Sequence, residues 1–212
     1  MTTLVFNVGF SSEYVIKALT RRGVNDVSKV ILVTAMPKDE FSRRRNEDAM
    51  GAILKYLDIV GIRDVKVISV NVDVPFDSVL LQISSMGGFD GYVEFYLIGG
   101  MRILLLALYY LALILSKIRR VRVYAFDENM QNFYELPVSI PRIPTQEQLK
   151  LLELLTTKLS LSDITRIMDK SESTIVSQLN ALGELVSCER IGRRTKLCET
   201  TIMGKVILNL MR

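Results

Sequence analysis

The segment Pro144-Thr145-Gln146-Glu147-Gln148 decides the fold of the C-terminal third of the chain, because it has the pattern of a helix start. Thr145 is a residue type that caps free backbone N–H groups, and Gln148, three residues later, can reach back to the cap. Leucines then recur at helical spacing, so we expect an amphipathic helix. They are Leu149, Leu152, Leu155 and Leu159.

Five more elements follow this first helix. A short helix over 162–168 leads through the turn at 169–171 into a third helix, which Ser171 caps and Gly183 ends. Two short strands, 186–190 and 195–198, flank Ile191-Gly192-Arg193-Arg194, and a last helix starts near Thr201. Three helices, a basic hairpin and a closing helix predict a winged helix-turn-helix domain over 145–212, with its third helix in the major groove of DNA and its wing on the phosphates.

The polar positions of this domain predict two kinds of DNA contact. Ser, Thr and Gln side chains on the third helix can contact base edges, and cations on the wing can contact phosphates. Residues 145–212 carry ten Lys/Arg and eight Asp/Glu, so their net charge is only +2, and a protein-binding role for the domain stays open. The predicted contact residues are Lys170, Ser173, Thr174, Ser177, Gln178, Arg190, Arg193, Arg194 and Lys196.

The composition excludes several classes of enzyme. The chain has 212 residues, 49% of them hydrophobic, a net charge of +4, two cysteines and no histidine. Without histidine there is no Ser-His-Asp or Cys-His nucleophile system, and two cysteines cannot build a zinc site of Cys or Cys/His type within one chain. Neither GxGxxG nor a Gly-Lys-Ser/Thr phosphate loop is present, and we predict no catalytic residue, metal or cofactor.

We expect a cytoplasmic protein that neither spans nor binds a membrane. No basic leader or cleavage site follows Met1. The most apolar segment runs from Phe95 to Ser116, but Gly99-Gly100 interrupts it and leaves only the thirteen residues 103–115. A membrane span needs about twenty residues.

The first 136 residues alternate between strand and helix patterns. Apolar strands are predicted at 2–8, 29–34, 65–70, 91–98 and 121–127, with a helix after each of the first four and an edge hairpin closed by a strand at 133–136. Alternation of this kind predicts a Rossmann-like, doubly wound and mostly parallel sheet. Because prolines cannot continue a helix or a central strand, Pro137, Pro141 and Pro144 mark 137–144 as a semi-rigid linker between domains 1–136 and 145–212.

Three strand ends carry residues suited to a phosphate-bearing ligand. Ligands of open parallel sheets bind outside the carboxyl ends of the strands. Gly9 with Ser11 and Ser12 follows the first strand, and Gly99-Gly100-Met101-Arg102 places a guanidinium at a helix start, where exposed N–H groups attract anions. From the end of the second strand we add Thr34, Met36 and Pro37. The glycines can also serve tight turns alone, and the serines can be plain helix caps.

Two further patterns concern helices. The helix over 103–115 is apolar on nearly all sides, although a helix that covers a sheet needs one apolar stripe. The excess predicts a second buried face, most simply a two-fold homodimer contact. Arg43-Arg44-Arg45 lies at a helix start, where such a run is more often a solvated face than a binding site.

The combination of a Rossmann-like domain, these two glycine loops and a proline-linked winged helix resembles the archaeal CRISPR-associated regulators that join a CARF domain to a winged helix, the Csa-three family. The resemblance implies a homodimer that binds a cyclic oligoadenylate, most simply cyclic tetra-adenylate, across its two-fold axis, and binds double-stranded DNA near CRISPR loci in antiviral defence. The ligand positions that match are Gly9, Phe10, Ser11, Ser12, Gly99, Gly100, Met101 and Arg102.

Two other functions stay open beside a ligand-responsive transcription regulator. Some CARF domains cleave their cyclic ligand without a metal, through attack by the ligand's own 2′-OH. Ser11 and Arg102 can provide part of that chemistry, although no general base is evident. The third function is a protein-interaction module in which the winged helix binds a partner protein.

Cys188 and Cys198 are equidistant from Arg193, the centre of the wing turn. They are therefore predicted to face each other across the two strands, near the separation that a disulfide requires. Reducing conditions in an ordinary cytosol favour two small buried thiols instead. Intracellular proteins of hyperthermophiles are an exception, and the family resemblance points to archaea, so both states stay open.

Overall fold

The N-terminal unit, Met1–Ser139, is built on one six-stranded sheet in the computed structural model, which describes residues 1–127, 130–191 and 195–211. The strands are β1 (Thr2–Val8), β2 (Val27–Ala35), β3 (Val65–Val70), β4 (Tyr92–Leu97), β5 (Val121–Phe126) and β6 (Phe133–Leu136). The helices are α1 (Glu13–Arg22), α2 (Glu40–Ile59), α3 (Phe76–Ser85) and α4 (Arg102–Leu115).

The strands lie in the order β3-β2-β1-β4-β5-β6. The first five are parallel, and β6 pairs antiparallel with β5 at one edge. This is the strand order of a doubly wound sheet, so the predicted Rossmann-like fold is confirmed. The order of the strands reverses between β1 and β4, which makes the ends of these two strands the switch point of the sheet.

The central strands are apolar on both faces because helices cover both of them. Val30, Ile31, Leu32 and Val33 of β2 are all fully buried. The core on one face packs against α3 and α4, and the core on the other face packs against α1 and α2. The continuous Val-Ile-Leu-Val run of the sequence is therefore a strand enclosed between two helical layers.

One buried ion pair ties α1 to the middle of the sheet. Glu94 of β4 is only 6% exposed, and its carboxylate accepts hydrogen bonds from Arg22 Nε at 2.9 Å and from the Tyr96 hydroxyl at 2.8 Å. Burial, together with this hydrogen bond, raises the pKa of the Tyr96 phenol, which keeps it a donor. Arg22 also donates to Asp26, which precedes β2. The buried carboxylate thus accepts hydrogen bonds from both α1 and β4, which offset the cost of burying its charge.

The C-terminal unit, Ile140–Arg212, contains a three-stranded sheet and four α-helices among its described residues. The elements follow as α5 (Gln146–Leu154), β7 (Leu159–Ser160), α6 (Leu161–Met168), α7 (Glu172–Leu182), a short 3-10 helix (Gly183–Leu185), β8 (Val186–Ile191), β9 (Thr195–Thr200) and α8 (Ile202–Met211). This is the order expected of a winged helix-turn-helix. The capping box at the start of α5 is present, with Thr145 and Gln148 bonded in both directions.

One element of this unit differs from the sequence prediction. Leu159 was placed on the apolar face of the first helix, but α5 ends at Leu154, and Leu159 lies in β7 opposite Cys198 of β9. A third strand therefore joins the two strands of the wing. The helical spacing of the leucines continues past the end of the helix because Leu155 and Leu159 contribute to the same core from a turn and a strand.

No helix within the ranges 1–127, 130–191 and 195–211 has the length and apolar character that crossing a membrane requires.

We expect Glu94→Gln to lower the free energy of unfolding by about 2 kcal/mol, because the half-buried guanidinium of Arg22 then faces a neutral and weaker partner on β4. Urea denaturation followed by circular dichroism measures the change. Glu135→Gln is the control, since it breaks an exposed pair with Arg122 and is expected to cost less than about 1 kcal/mol. Equal effects of the two substitutions would contradict a structural role of the buried pair.

Candidate ligand pocket and nucleic-acid-binding elements

A pocket of about 430 Å³ lies at the carboxyl ends of β1 and β2, beside the turn that follows β4. It is at the switch point of the sheet, where doubly wound folds bind ligands. Seven residues predicted to bind the ligand line it, namely Gly9, Phe10, Thr34, Met36, Pro37, Gly100 and Met101. The remaining lining residues are Val8, Ala35, Lys38, Asp39, Ser42 and Asn46.

The two glycine loops touch backbone to backbone at this pocket. A Cβ atom on Gly9 would lie 2.7 Å from the amide nitrogen of Gly100, and one on Gly100 would lie 2.9 Å from the carbonyl oxygen of Val8. Gly100 also has φ +74°, a conformation that L residues rarely adopt. Both glycines are therefore required for close packing of the loops.

Asn7 fixes the end of β4, a role that the sequence analysis missed. Its side chain is buried, and its Oδ1 accepts the backbone N–H of Ile98 at 2.9 Å. Among the described residues its Nδ2 has no hydrogen-bond partner. The available signal was a single amide side chain in an otherwise apolar strand end. Through this bond β1 holds the backbone from which the Gly99–Arg102 turn starts.

The helices that begin at the two loops lack side-chain caps. Ser12, the N-cap of α1, and Met101, the N-cap of α4, make no capping hydrogen bond. By contrast, Asp39 caps α2 by accepting the Ser42 N–H at 2.7 Å. The first-turn N–H groups of α1 and α4 thus have no side-chain acceptor, and such groups attract anions.

Four predicted ligand residues do not line the pocket itself. Gly99 lines a neighbouring cavity of about 280 Å³ beside Tyr14. The side chains of Ser11, Ser12 and Arg102 have no hydrogen-bond or ion-pair partner in the described ranges, and Arg102 is exposed. These groups stand beside the pocket with their hydrogen-bonding capacity unused.

The first two turns of α2 supply pocket residues that the sequence analysis missed. The Asn46 amide donates to Thr34 Oγ1 at 2.9 Å, and Lys38 forms an ion pair with Asp73. The backbone and side chain of Ser42 lower the pKa of Asp39, so this carboxylate stays ionised at neutral pH. Asp39, Ser42 and Asn46 recur at intervals of three and four residues, which places them on one helix face.

Among residues 1–127, 130–191 and 195–211, no group of three or more acidic, Cys or His side chains lies close enough together to hold a metal ion.

An apolar stripe runs along the outside of α4. Leu106, Tyr110 and Ile114 follow each other at four-residue spacing and are 55%, 49% and 50% exposed. The opposite side of the helix is buried in the core through Leu104, Leu108 and Leu111. Helix α4 therefore begins at the glycine loop and presents a second apolar face that the chain itself does not cover.

The predicted DNA-contacting residues of α7 differ in their availability. Lys170 forms an ion pair with Glu147 at 3.1 Å. The hydroxyls of Ser173 and Thr174 are hydrogen-bonded to Ser171 at the cap. Ser177 is exposed, whereas Gln178 is half-buried, and its Oε1 lacks a hydrogen-bond partner in the described structure. The Gln178 side chain thus turns partly inward, and its contact with DNA stays a prediction.

The wing places two cations opposite each other. Arg190 of β8 and Lys196 of β9 are direct cross-strand partners, and neither has an acidic partner in the described part of the chain. Like charges in this position destabilise a hairpin unless an anion lies between them. The predicted contacts Arg193 and Arg194 lie outside the described residues. Cys188 and Cys198, two pairs nearer the core, are joined in a disulfide.

The chain matches the family model of the Csa3 CRISPR-associated Rossmann-like domain over residues 2–137, more than half of its length. The chain belongs to this family. No curated protein sequence matches it. The Rossmann-like unit of this Csa3-family chain thus coincides with the matched segment, and the C-terminal unit lies beyond it.

Solved structures with partial backbone similarity include two proteins connected with cyclic oligoadenylates. Can2 from Sulfobacillus thermosulfidooxidans, in complex with cyclic tetra-adenylate, is 10% identical with a TM-score of 0.48 over 85% of this chain and 49% of that chain. A type III CRISPR defence DNA nuclease activated by cyclic oligoadenylate is 14% identical with a TM-score of 0.39, over 76% of this chain and 25% of its own. This chain therefore spans about half of Can2 and a quarter of the nuclease.

A DNA-bound protein also has partial backbone similarity. A single-site mutant of Lactococcus lactis ZitR, in complex with DNA, is 19% identical with a TM-score of 0.29, over 39% of this chain and 62% of that chain.

We expect Gly9→Ala to lower the free energy of unfolding by about 1–3 kcal/mol, because the added methyl group forces the two loops apart. Gly51→Ala is the matched control. No atom lies within 4 Å of its added Cβ, so alanine in this helix interior is expected to be neutral or stabilising. Thermal denaturation distinguishes the two variants. A Gly9→Ala protein as stable as the wild type would show that the loops separate without cost.

Proposed function

We propose that this Csa3-family protein is a homodimeric, ligand-responsive transcription regulator of a CRISPR system. Its Rossmann-like unit binds a cyclic oligoadenylate, most simply cyclic tetra-adenylate, and its C-terminal unit binds double-stranded DNA. The observation that carries the proposal is the pocket at the β1–β4 switch point, where two tightly packed glycine loops lead into two uncapped helix N-termini.

The groups around the pocket suit the phosphates of such a ligand. Backbone N–H groups and helix dipoles stabilise negative charge, and the free guanidinium of Arg102 adds a charge-assisted contact. The hydroxyls of Ser11 and Ser12 supply neutral donors. The pocket volume falls in the range of small-molecule sites, about 300–1,000 Å³, which is small for a whole cyclic tetranucleotide. A ligand with two-fold symmetry would be shared between two copies of the pocket.

The stripe of Leu106, Tyr110 and Ile114 supports the proposed dimer. A two-fold contact made by the same helix in both protomers is self-complementary and covers both stripes at once. Because α4 starts at Arg102, a two-fold axis that runs along the paired α4 helices would bring two copies of Arg102 to one cleft. Dimerisation would thus use the outward face of α4, and ligand binding would use its N-terminus.

We expect Leu106→Glu to convert the dimer into a monomer, because it places like charges in the apolar contact. Sedimentation at micromolar concentration measures the state. Leu81→Glu is the control, since Leu81 of α3 is also exposed but lies off the stripe. A wild-type monomer would remove the basis for a shared ligand site.

We expect Arg102→Ala to weaken binding of cyclic tetra-adenylate by about 2 kcal/mol, roughly 30-fold, per site. Ser11→Ala is expected to cost about 1 kcal/mol, the value for a neutral hydrogen bond. Isothermal titration measures both. Arg119→Ala serves as a control cation, four residues beyond the far end of α4. Unchanged affinity in Arg102→Ala would move the site elsewhere.

The same titration tests the alternative that the protein is a ring nuclease. Chromatography of the ligand after prolonged incubation is expected to return intact cyclic tetra-adenylate. Linear products would assign the enzyme function instead.

The wing supports the proposed contact with DNA. Arg190 and Lys196 repel each other across the strands, and a phosphate between them would remove that repulsion. The exposed hydroxyl of Ser177 on α7 is available to base edges. Protein binding through the same face is the alternative.

We expect Arg190→Ala and Lys196→Ala each to weaken binding to all DNA sequences about equally, and to reduce the slope of log K against log salt concentration by about one. Fluorescence anisotropy at several salt concentrations, with two unrelated duplexes, measures both quantities. Arg166→Ala, which removes a cation paired with Asp163 on α6, is the control. Loss confined to one duplex would mean that the wing contacts bases. Absence of DNA binding by the wild type would favour a protein-interaction module.

A further inference from the structure

The mouth of the pocket carries a cluster of flat side chains that the proposed phosphate contacts leave unused. Phe10 follows β1 and lines the pocket, and Phe41 lies in the first turn of α2. They are 49% and 69% exposed. The guanidinium carbon of Arg45 lies 5.3 Å from the centre of the Phe10 ring and 5.7 Å from that of the Phe41 ring. Both distances are in the range of cation–π contacts.

The position of Arg45 follows from helix geometry. Phe41 and Arg45 are four residues apart and lie on one face of α2, next to the face on which Ser42 and Asn46 line the pocket. Arg45 thus reaches across the pocket mouth to Phe10. The Arg43-Arg44-Arg45 run was predicted to be a solvated face, and its three members differ in the structure.

Only one member of the run is held by aromatic rings. Arg44 forms an ion pair with Glu40 at 2.6 Å, and Arg43 lies beside Lys38 and Glu40 at a shallow neighbouring cavity. Arg45 has no acidic partner among the described residues, and its guanidinium carbon lies within cation–π distance of both rings. An exposed guanidinium beside two exposed rings offers flat surfaces on which a planar ligand can stack.

We propose that Phe10, Phe41 and Arg45 form a stacking subsite for a purine base at the mouth of the pocket. Unstacked bases bind on aromatic rings and on arginine planes, and each such contact contributes affinity largely independent of hydrogen bonds. The inference rests on the proposed function, since a nucleotide must bind with its phosphate at the glycine loops for its base to reach this cluster. Asn46 on the adjacent face adds an amide at the edge of the same space.

Affinity of the full-length protein for cyclic tetra-adenylate tests the subsite. Arg45→Ala and Phe41→Leu are each expected to weaken binding at least about fivefold, the loss of one stacked contact. Arg43→Ala, an equally exposed cation two residues away with no ring contact, is expected to stay within about twofold of the wild type. Circular dichroism confirms the fold of each variant. Equal affinities of Arg45→Ala and Arg43→Ala would overturn the subsite.

Arg45→Lys separates stacking from simple charge. Lysine keeps the positive charge but lacks the guanidinium plane, so it is expected to restore only part of the affinity. Full affinity in Arg45→Lys would show that the residue contacts a phosphate, and the stacking assignment would be wrong.

A second probe distinguishes failure of the subsite from failure of the proposed function. The fluorescence of 2-aminopurine riboside 5′-monophosphate is expected to be quenched on binding, and less so with Phe41→Leu. Quenching in a wild-type protein that does not bind cyclic tetra-adenylate would keep the subsite and reject the proposed ligand. A wild-type protein that binds neither probe would overturn both.

Discussion

The backbone contact between Gly9 and Gly100 is the constraint on which the ligand pocket depends. A side chain at either position would strike the opposing loop, so the ends of β1 and β4 meet only because neither residue has one. Asn7 then fixes the end of β4 from the side of β1. With the loops held together, α1 and α4 start from adjacent points, and their free N–H groups face the same region. The packing of the loops, the shape of the pocket and the positions of the two helix N-termini thus all depend on the contact between Gly9 and Gly100.

The sequence was sufficient to predict the order of the elements and the type of sheet. Apolar runs and their spacing locate each strand within a few residues, and the crossover rule then arranges the strands. It failed at Leu159, because a leucine in β7 and a leucine in a continued helix have the same spacing. Contact with β9 decides between the two, and that contact joins residues about forty positions apart, which periodicity cannot detect.

The candidate site was predictable to the extent that it lies at strand ends. Glycine loops carry a local pattern, and seven of the residues chosen from the strand ends line the pocket. Asn46 and Arg45 belong to α2, whose place over the pocket depends on how the β2–α2 connection turns. A run of charged residues in the sequence does not show which side chains lie beside it in the fold. The inward turn of Gln178 likewise depends on packing within the C-terminal unit. The features that the sequence analysis missed are determined by contacts between segments that lie far apart in the sequence.

The wing has a disulfide and, nearer its tip, a cross-strand pair of like charges. The disulfide between Cys188 and Cys198 closes a small ring, and the opposed Arg190 and Lys196 lie inside that ring. The covalent link therefore holds β8 to β9 on the core side of this repelling pair. Because mobile ions screen the repulsion between Arg190 and Lys196, we expect rising ionic strength to strengthen the pairing of β8 with β9. The same ions compete with any polyanion for these two side chains. We therefore expect rising ionic strength to stabilise the pairing of β8 with β9 and to weaken the binding of any polyanion to these two side chains.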